Sequence, residues 1–268
     1  MDWLDKVCVV TGASSGIGRR TALDLAAEGA RVCAAARREE RLASLVAEMG
    51  GPAAGHSYVV TDVSKRKDAK ALAGHVRSTY DRCDVLVNNA GFSGEQSFEG
   101  PESVRALEAI MQTNFFGAVY CTAELLPLLR ASTPSHVVNV SSFAGRLAFP
   151  GSSAYCASKF ALVGWSEALY FELAAKDVHV SVIEPGFIPT EGFPQEAFLN
   201  DKFLRHVLGS DADVSAAIRN AVSRRKMERV VPRWYHLFQF PRLVAPPLYR
   251  MAVSWLAQTN LARRTVRQ

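Results

Sequence analysis

Short runs of apolar residues alternate with helix-length segments from Val7 onward, and this alternation limits the fold more than any other feature of the chain. Val7–Thr11, Arg31–Ala36, Ser57–Thr61, Val85–Val87, His136–Val140 and Val178–Ile183 read as six strands. Between them the pattern predicts a helix ending near Gly29, then helices over Arg38–Met49, Lys65–Tyr80, Pro101–Arg130 and Ser153–Ala175, with Pro127 interrupting the fourth. Strands that are apolar throughout, with no polar residue at alternate positions, are buried on both faces. In β-α-β order they imply an α/β fold of Rossmann type, a doubly wound parallel sheet flanked by helices on both faces. A chain of 268 residues suits one large domain of this kind and needs no disulfide or metal to stabilise it.

No repeat or linker interrupts the pattern before residue 186. Beyond Gly186 it loosens. Phe187–Asn200 contains Pro189, Gly192 and Pro194 and reads as a loop; Asp213–Lys226 reads as a helix and Val230-Val231 as a last short strand. The expected division is a catalytic Rossmann unit over 1–232, with a substrate loop at about 187–226, followed by a basic, aromatic-rich extension over 233–268. Five scattered cysteines form no CxxC pair or zinc spacing, and six histidines show no paired metal spacing. Buried free thiols in a reducing compartment and no metal are therefore expected. No basic segment followed by an apolar run opens the chain, and no uncharged apolar stretch reaches the ~20 residues of a spanning helix. A cytoplasmic protein is the expectation, with peripheral membrane contact as its one qualification.

Thr11-Gly12-Ala13-Ser14-Ser15-Gly16-Ile17-Gly18 joins the first strand to the first helix. Glycines there let backbone approach a pyrophosphate, while the helix N-terminus offers unpaired N–H groups and the positive end of its dipole. A Gly-rich turn alone is a weak signal; between a first strand and a first helix it becomes a dinucleotide site. With Asp62, Asn88-Asn89-Ala90-Gly91, Asn114, Ser142, Tyr155-Cys156-Ala157-Ser158-Lys159 and Pro185-Gly186, the TGxxxGxG turn resembles the single-domain short-chain dehydrogenase/reductase family over about residues 5–190.

The resemblance implies a nicotinamide cofactor held by Gly12, Ser14, Ser15, Gly16, Ile17, Gly18, Asp62, Val63, Asn89, Ala90, Gly91, Tyr155, Lys159, Pro185, Gly186, Ile188 and Thr190. Within that set Asp62 would bind adenine, although a helix N-cap is its plainer role. Asn89 and Ala90 would lie beside a ribose and Thr190 would meet the carboxamide, whereas Asn88 ties the central strands. NAD-preferring relatives carry an acidic residue at the end of the second strand; this chain has Ala36, then Arg37 and Arg38. Two cations at a helix start oppose its dipole and call for an anion. A 2′-phosphate suits arginine geometry, so NADP(H) is the expected cofactor.

Tyr155 and Lys159, four apart in a predicted helix, share a face with Cβ atoms ~5–6 Å apart. Hydride transfer at a carbinol carbon requires a proton to move at its oxygen. A free phenol with a pKa near 10 is a poor base at neutral pH, and a nearby ammonium is expected to bring it toward working range. Ser142, 13 residues before Tyr155, is preferred over Ser141 as donor to the substrate oxygen. By resemblance Asn114 kinks its helix and anchors a water leading to Lys159. The expected activity interconverts a ketone or aldehyde and an alcohol, with Tyr155 as general acid/base. A silent cofactor-binding scaffold is the rival, but such proteins usually lose the tyrosine or the lysine.

Charge is divided unevenly. Residues 1–218 carry 20 Lys+Arg and 25 Asp+Glu, whereas 219–268 carry 11 basic residues against Glu228 alone, a local charge of +10. Aromatics such as Trp234, Tyr235, Phe238 and Phe240 alternate there with Arg233, Arg242 and Arg250. This suits either a lid or oligomer contact, or a foot on an anionic membrane surface through 219–268. Nucleic acid is not expected, because no clean basic face forms. An apolar lid points to a lipophilic carbonyl or alcohol as the small-molecule substrate. Relatives pair through their two long helices, here about 101–130 and 153–175, which implies a homodimer or homotetramer.

Overall fold

The computed structural model describes residues 2–93, 98, 100–189, 191 and 208–258. Seven parallel strands form one sheet: β1 (Val7–Thr11), β2 (Arg31–Ala36), β3 (Ser57–Val60), β4 (Val85–Asn88), β5 (Ser135–Val140), β6 (Val178–Pro185) and β7 (Glu228–Val231). Their spatial order is β3-β2-β1-β4-β5-β6-β7, every neighbouring pair parallel. The order reverses between β1 and β4. In open α/β sheets ligands bind outside the carboxyl ends of the strands at that reversal.

The helices are α1 (Gly16–Ala27), α2 (Glu39–Glu48), α3 (Arg66–Tyr80), α4 (Ser103–Met111), α5 (Gly117–Ala131), α6 (Ser153–Ala174), α7 (Asp211–Ser223), α8 (His236–Val244) and α9 (Pro246–Gln258). They cover both faces, and alternate residues of one strand feed separate cores. Cys8 and Val10 of β1 join Leu25 of α1, Leu42 of α2 and Ile218 of α7. Val7 and Val9 point the other way, to Val76 of α3, Leu125 of α5 and Leu173 of α6. This two-sided burial explains why β1, β2 and β4 lack the polar alternation of a half-exposed sheet, and the polar His136, Asn139 and Ser181 of β5 and β6 are buried as well. Each large aliphatic side chain so buried contributes roughly 1.5–3 kcal/mol.

Two expectations need correction. Pro127 does not interrupt its helix: α5 runs through it to Ala131. An internal proline removes one backbone hydrogen bond, but Leu125, Leu128 and Leu129 around it are all buried, and tertiary packing of this kind outweighs propensity. The break lies earlier, as a π turn over Gln112–Phe116 that separates α4 from α5. The expected helix at Asp213 starts at Asp211, where Ser210 and Asp213 make a reciprocal capping box.

All five cysteines are free and buried. Burial raises their thiol pKa values, to about 12 for Cys33 and Cys121. No cluster of metal-ligating side chains exists among the described residues, and no described helix is long and apolar enough to cross a membrane.

Candidate active site

The turn after β1 is welded to the end of β4. Thr11 Oγ1 accepts hydrogen bonds from the backbone N–H groups of Asn89 (3.0 Å) and Ala90 (3.1 Å) and donates to the carbonyl of Val87 (3.3 Å). Asn89 Nδ2 donates to the carbonyl of Thr11 at 3.0 Å. The side chain of Asn89 therefore shapes the turn, and Asn88 does what was expected of it: its Nδ2 donates to Thr122 Oγ1 and Asn139 Oδ1, both at 2.9 Å.

The turn is built for close approach. Gly12 has φ +66°, and a Cβ there would fall 2.8 Å from Ala90 Cα. A Cβ on Gly18 would fall 2.4 Å from the carbonyl oxygen of Gly12. Ser15 caps α1 in extended conformation, and the first turn of α1 has no acidic residue. The positive end of that helix is thus left to an anion.

Arg38 reaches back to this turn. Its Nη2 donates to Ser14 Oγ at 3.0 Å and to Ser15 Oγ at 2.7 Å. Its Nη1 pairs with Glu191 at 3.0 Å. Arg41, one turn along α2 and on the same face, grips the other oxygen of Glu191. Arg37 is exposed and makes no ion pair among the described residues. Glu39 and Glu40 occupy the first turn of α2 and favour its dipole, so the case for an anion site rests on the aim of Arg38 and not on dipole repulsion. Glycines that leave room for backbone approach, a free helix terminus and an arginine pair already holding a carboxylate together fit a phosphorylated dinucleotide.

Asp62, just past β3, is not a helix cap; Lys65 occupies that position. Its carboxylate accepts from Ser64 N–H (3.2 Å) and Ser64 Oγ (2.7 Å). Partial burial would raise its pKa, but the Ser64 hydrogen bonds and the nearby Lys65 overcome this and hold it below the ordinary carboxylate value. Val63 is buried against Gly117 at the start of α5, and Ile188 is buried in the sheet core, so their side chains are structural. Ile17 packs partly on that core. Thr190 and residues 192–207 of the expected substrate loop lie outside the described residues.

At the carboxyl ends of β4 and β5 four side chains converge. Asn114 sits inside the π turn, almost fully buried; its Oδ1 accepts from Phe92 N–H and its Nδ2 donates to Phe92 O, both at 2.9 Å. The same Nδ2 donates to Ser158 Oγ at 3.1 Å, which joins the turn to α6. Lys159 is buried, with Nζ donating to Val140 O at 3.0 Å and lying 5.7 Å from the centre of the Tyr155 ring. The Cβ position of Gly91 is 3.0 Å from Asn114 Oδ1 and 3.5 Å from Lys159 Nζ. The Ser142 hydroxyl lies beside the Tyr155 phenol, close enough to lower its pKa. It also accepts from Ala144 N–H at 3.1 Å, and Pro185 O lies 3.4 Å away. Ser141 instead donates to the backbone carbonyl of Lys159 at 3.1 Å, pinning β5 to α6.

The electrostatics differ from the expectation. Burial raises the Tyr155 phenol above its ordinary value, and the Ser142 hydrogen bond only partly opposes this. Burial likewise lowers Lys159, to about 8. Both groups lose hydration, which disfavours their charged forms, and the amine does not make the phenol acidic.

Three features escaped the sequence. Arg41 was legible as the i+3 neighbour of Arg38. Arg146 pairs with buried Glu184 (2.8 Å), Glu167 (2.8 Å) and Glu228 (3.0 Å), fastening the segment after Ser142 to three elements. Tyr235 lies over Gly186, 2.0 Å from where a Cβ would be, and meets Phe143 edge-on at 4.9 Å between ring centres. The last two join residues too distant in the chain for spacing to reveal.

The short chain dehydrogenase family profile matches residues 6–197. The 11-beta-hydroxysteroid dehydrogenase 1A of Arabidopsis thaliana is 34% identical over 95% of this chain and 76% of its own length. The farnesol dehydrogenase of Aedes aegypti is 35% identical over 81% of this chain and 89% of its own. Among solved structures, a short-chain dehydrogenase from Streptomyces avermitilis superposes with a TM-score of 0.77 at 32% identity, covering 95% of this chain and 97% of its own. The RhlG/NADP active-site complex of Pseudomonas aeruginosa gives 0.76 at 30%, covering 85% and 95%. With the sheet order, the glycine turn and the profile match in agreement, this chain belongs to the short-chain dehydrogenase/reductase family, oxidoreductases that use nicotinamide cofactors on hydroxyl and carbonyl groups.

Proposed function

We propose that the protein is an NADP(H)-dependent reductase or dehydrogenase of a lipophilic ketone, aldehyde or alcohol, with Tyr155 as general acid/base. The observation that carries this reading is the convergence of Tyr155, Ser142, Lys159 and Asn114 where the strands end. When bound, the nicotinamide group gives or accepts the hydride at the carbinol carbon. In the reducing direction Tyr155 gives its proton to the substrate oxygen, and Ser142 donates a hydrogen bond to that same atom. Lys159, with a pKa of about 8, carries positive charge at neutral pH beside the phenol. That charge favours the phenolate left after proton transfer. Asn114 fixes the backbone at Phe92 and ties the π turn to Ser158, one residue before Lys159.

NADP(H) is favoured by Arg38 and Arg41, which together hold an anion beside Ser14 and Ser15. The relative solved with NADP is consistent with it. An apolar substrate is favoured by the aromatic wall beside Ser142: Phe143 lies 6.4 Å from Phe149, and Phe149 6.2 Å from Phe187, between ring centres. Two relatives bear the names of a hydroxysteroid dehydrogenase and a farnesol dehydrogenase, and steroids and farnesol are apolar.

The C-terminal helices have two sides in this reading. Their inner side closes on the site through Tyr235 and through Arg242, which donates to the carbonyl of Arg146. Their outer side leaves Leu237, Phe240, Leu243, Leu248, Met251 and Trp255 exposed, Leu243 at 77%. With a net charge of +10 over 219–268, that side suits an anionic lipid surface.

The test is turnover of apolar ketones with NADPH and with NADH. NADPH is expected to be at least about tenfold the better donor, the worth of one charged hydrogen-bonded contact. Equal rates would remove the NADP assignment. Tight NADPH binding without turnover of any carbonyl would favour the silent scaffold.

A further inference from the structure

Two arginines at the start of α2, beside the start of α1, already hold a negative charge, and the chain itself supplies it. Arg38 and Arg41 take one carboxylate oxygen of Glu191 each, Arg38 at 3.0 Å. The guanidinium of Arg38 is held toward the nucleotide turn by Ser14 and Ser15. Ser14, Ser15, Gly16, Arg19, Arg41, Ser44 and Glu191 line one cavity of about 410 Å³ together with Glu40. Glu191 is thus a carboxylate bound as a ligand would be, in a cavity next to the turn that receives the dinucleotide. Its pKa lies below the ordinary carboxylate value, chiefly through the hydrogen bond from Arg41, so it is ionised at neutral pH. The opposite effect on Arg41, raised by the same bond, agrees.

Two anions cannot share these arginines. A 2′-phosphate, carrying more charge and three acceptor oxygens, offers them more than a carboxylate does; but it must first displace Glu191 and then lie near a unit negative charge. The geometry points to Glu191 as a specificity-determining residue of the nucleotide site: it is the resident counter-ion of the 2′-phosphate subsite and competes directly with the 2′-phosphate for Arg38 and Arg41. This rests on the NADP(H) reading and adds to it a residue that lowers affinity for the cofactor. Glu191 is reached from β6 through Pro185-Gly186-Phe187-Ile188, so the counter-ion comes from the segment after the sheet and not from the nucleotide-binding half. Exchange of the two anions therefore links nucleotide binding to the position of a residue in the segment that leads away from the catalytic edge.

The ions are exposed, so the competition is modest and screened by salt. The experiment is calorimetric titration of the full chain with 2′,5′-ADP and with 5′-AMP, which differ in the 2′-phosphate alone. It compares wild type, Glu191→Gln and Arg41→Ala at low and moderate salt. Wild type should bind 2′,5′-ADP more tightly than 5′-AMP. Glu191→Gln should tighten 2′,5′-ADP by about fivefold at low salt, a charge–charge effect of exposed groups, and leave 5′-AMP unchanged. Arg41→Ala should weaken 2′,5′-ADP alone. If wild type does not distinguish the fragments, the NADP(H) reading falls and this inference with it. If wild type does distinguish them but Glu191→Gln leaves 2′,5′-ADP unchanged, the inference alone is overturned. Weaker 5′-AMP binding in Glu191→Gln would also overturn it, because Glu191 would then be a ribose ligand.

Discussion

Glu184 is a carboxyl group held dry at the end of β6, immediately before Pro185 and Gly186. Burial pushes its pKa from the ordinary 4.5 up to about 7, although Arg146 pulls the other way. Nearby Glu228 adds to the rise, and Arg146 serves both carboxylates and Glu167. Removing water from a charge is costly, and here one guanidinium does not fully compensate three acids. The sign follows from proton uptake. Between pH 4.5 and 7 the folded chain holds a proton that the unfolded chain has released, so stability from this group is full below the unfolded value and is lost as pH rises through about 7. A buried group of this kind shifts stability by about 3 kcal/mol over the interval. Thermal unfolding of wild type and Glu184→Gln from pH 5 to pH 8 should show wild type losing ground steadily against the variant. Parallel curves would mean that Glu184 keeps its ordinary titration.

Elements within the sheet were legible because their cause is local and periodic. β1 and β2 have the bounds that their apolar runs define, and α6 differs from expectation by one residue. The glycine turn was legible for the same reason: its backbone needs are met by residue type at fixed positions. Other features were set by partners distant in the chain. Pro127 reads as a helix breaker, yet the leucines flanking it are buried and the helix continues. Asn114, expected by resemblance to kink its helix, does sit in a π turn, but its partners Phe92 and Ser158 follow from no spacing rule. Arg146 and Glu184 look unremarkable in sequence and become a buried junction only when β6, β7 and α6 meet. The Tyr155–Lys159 pair was visible as a shared helix face, but their depressed hydration was not. Burial therefore reverses the expected direction of the phenol.

Taken as a whole, the molecule separates its charge and its apolar surface. The sheet and its covering helices form a closed domain, whereas net positive charge falls in the last fifty residues of the sequence, and among the described residues Leu237, Leu243, Leu248 and Met251 of α8 and α9 are exposed. Co-sedimentation with anionic vesicles should pellet wild type, less so at high salt and not with neutral vesicles. Leu243→Asp combined with Met251→Asp, both at exposed positions, should abolish pelleting while leaving thermal stability unchanged. Negligible pelleting of wild type, or undiminished pelleting of the variant, would dismiss the membrane foot and leave the helices as a lid. In the function proposed here, one phenol is set against a substrate oxygen, with an amine and a hydroxyl beside it. The most direct measurement is single-turnover reduction of a reactive ketone by Tyr155→Phe, with NADPH binding followed in parallel. NADPH binding should be retained and the hydride-transfer rate should fall by about 10²–10⁴, the usual worth of a general acid; a rate equal to wild type would show that Tyr155 is not the proton donor.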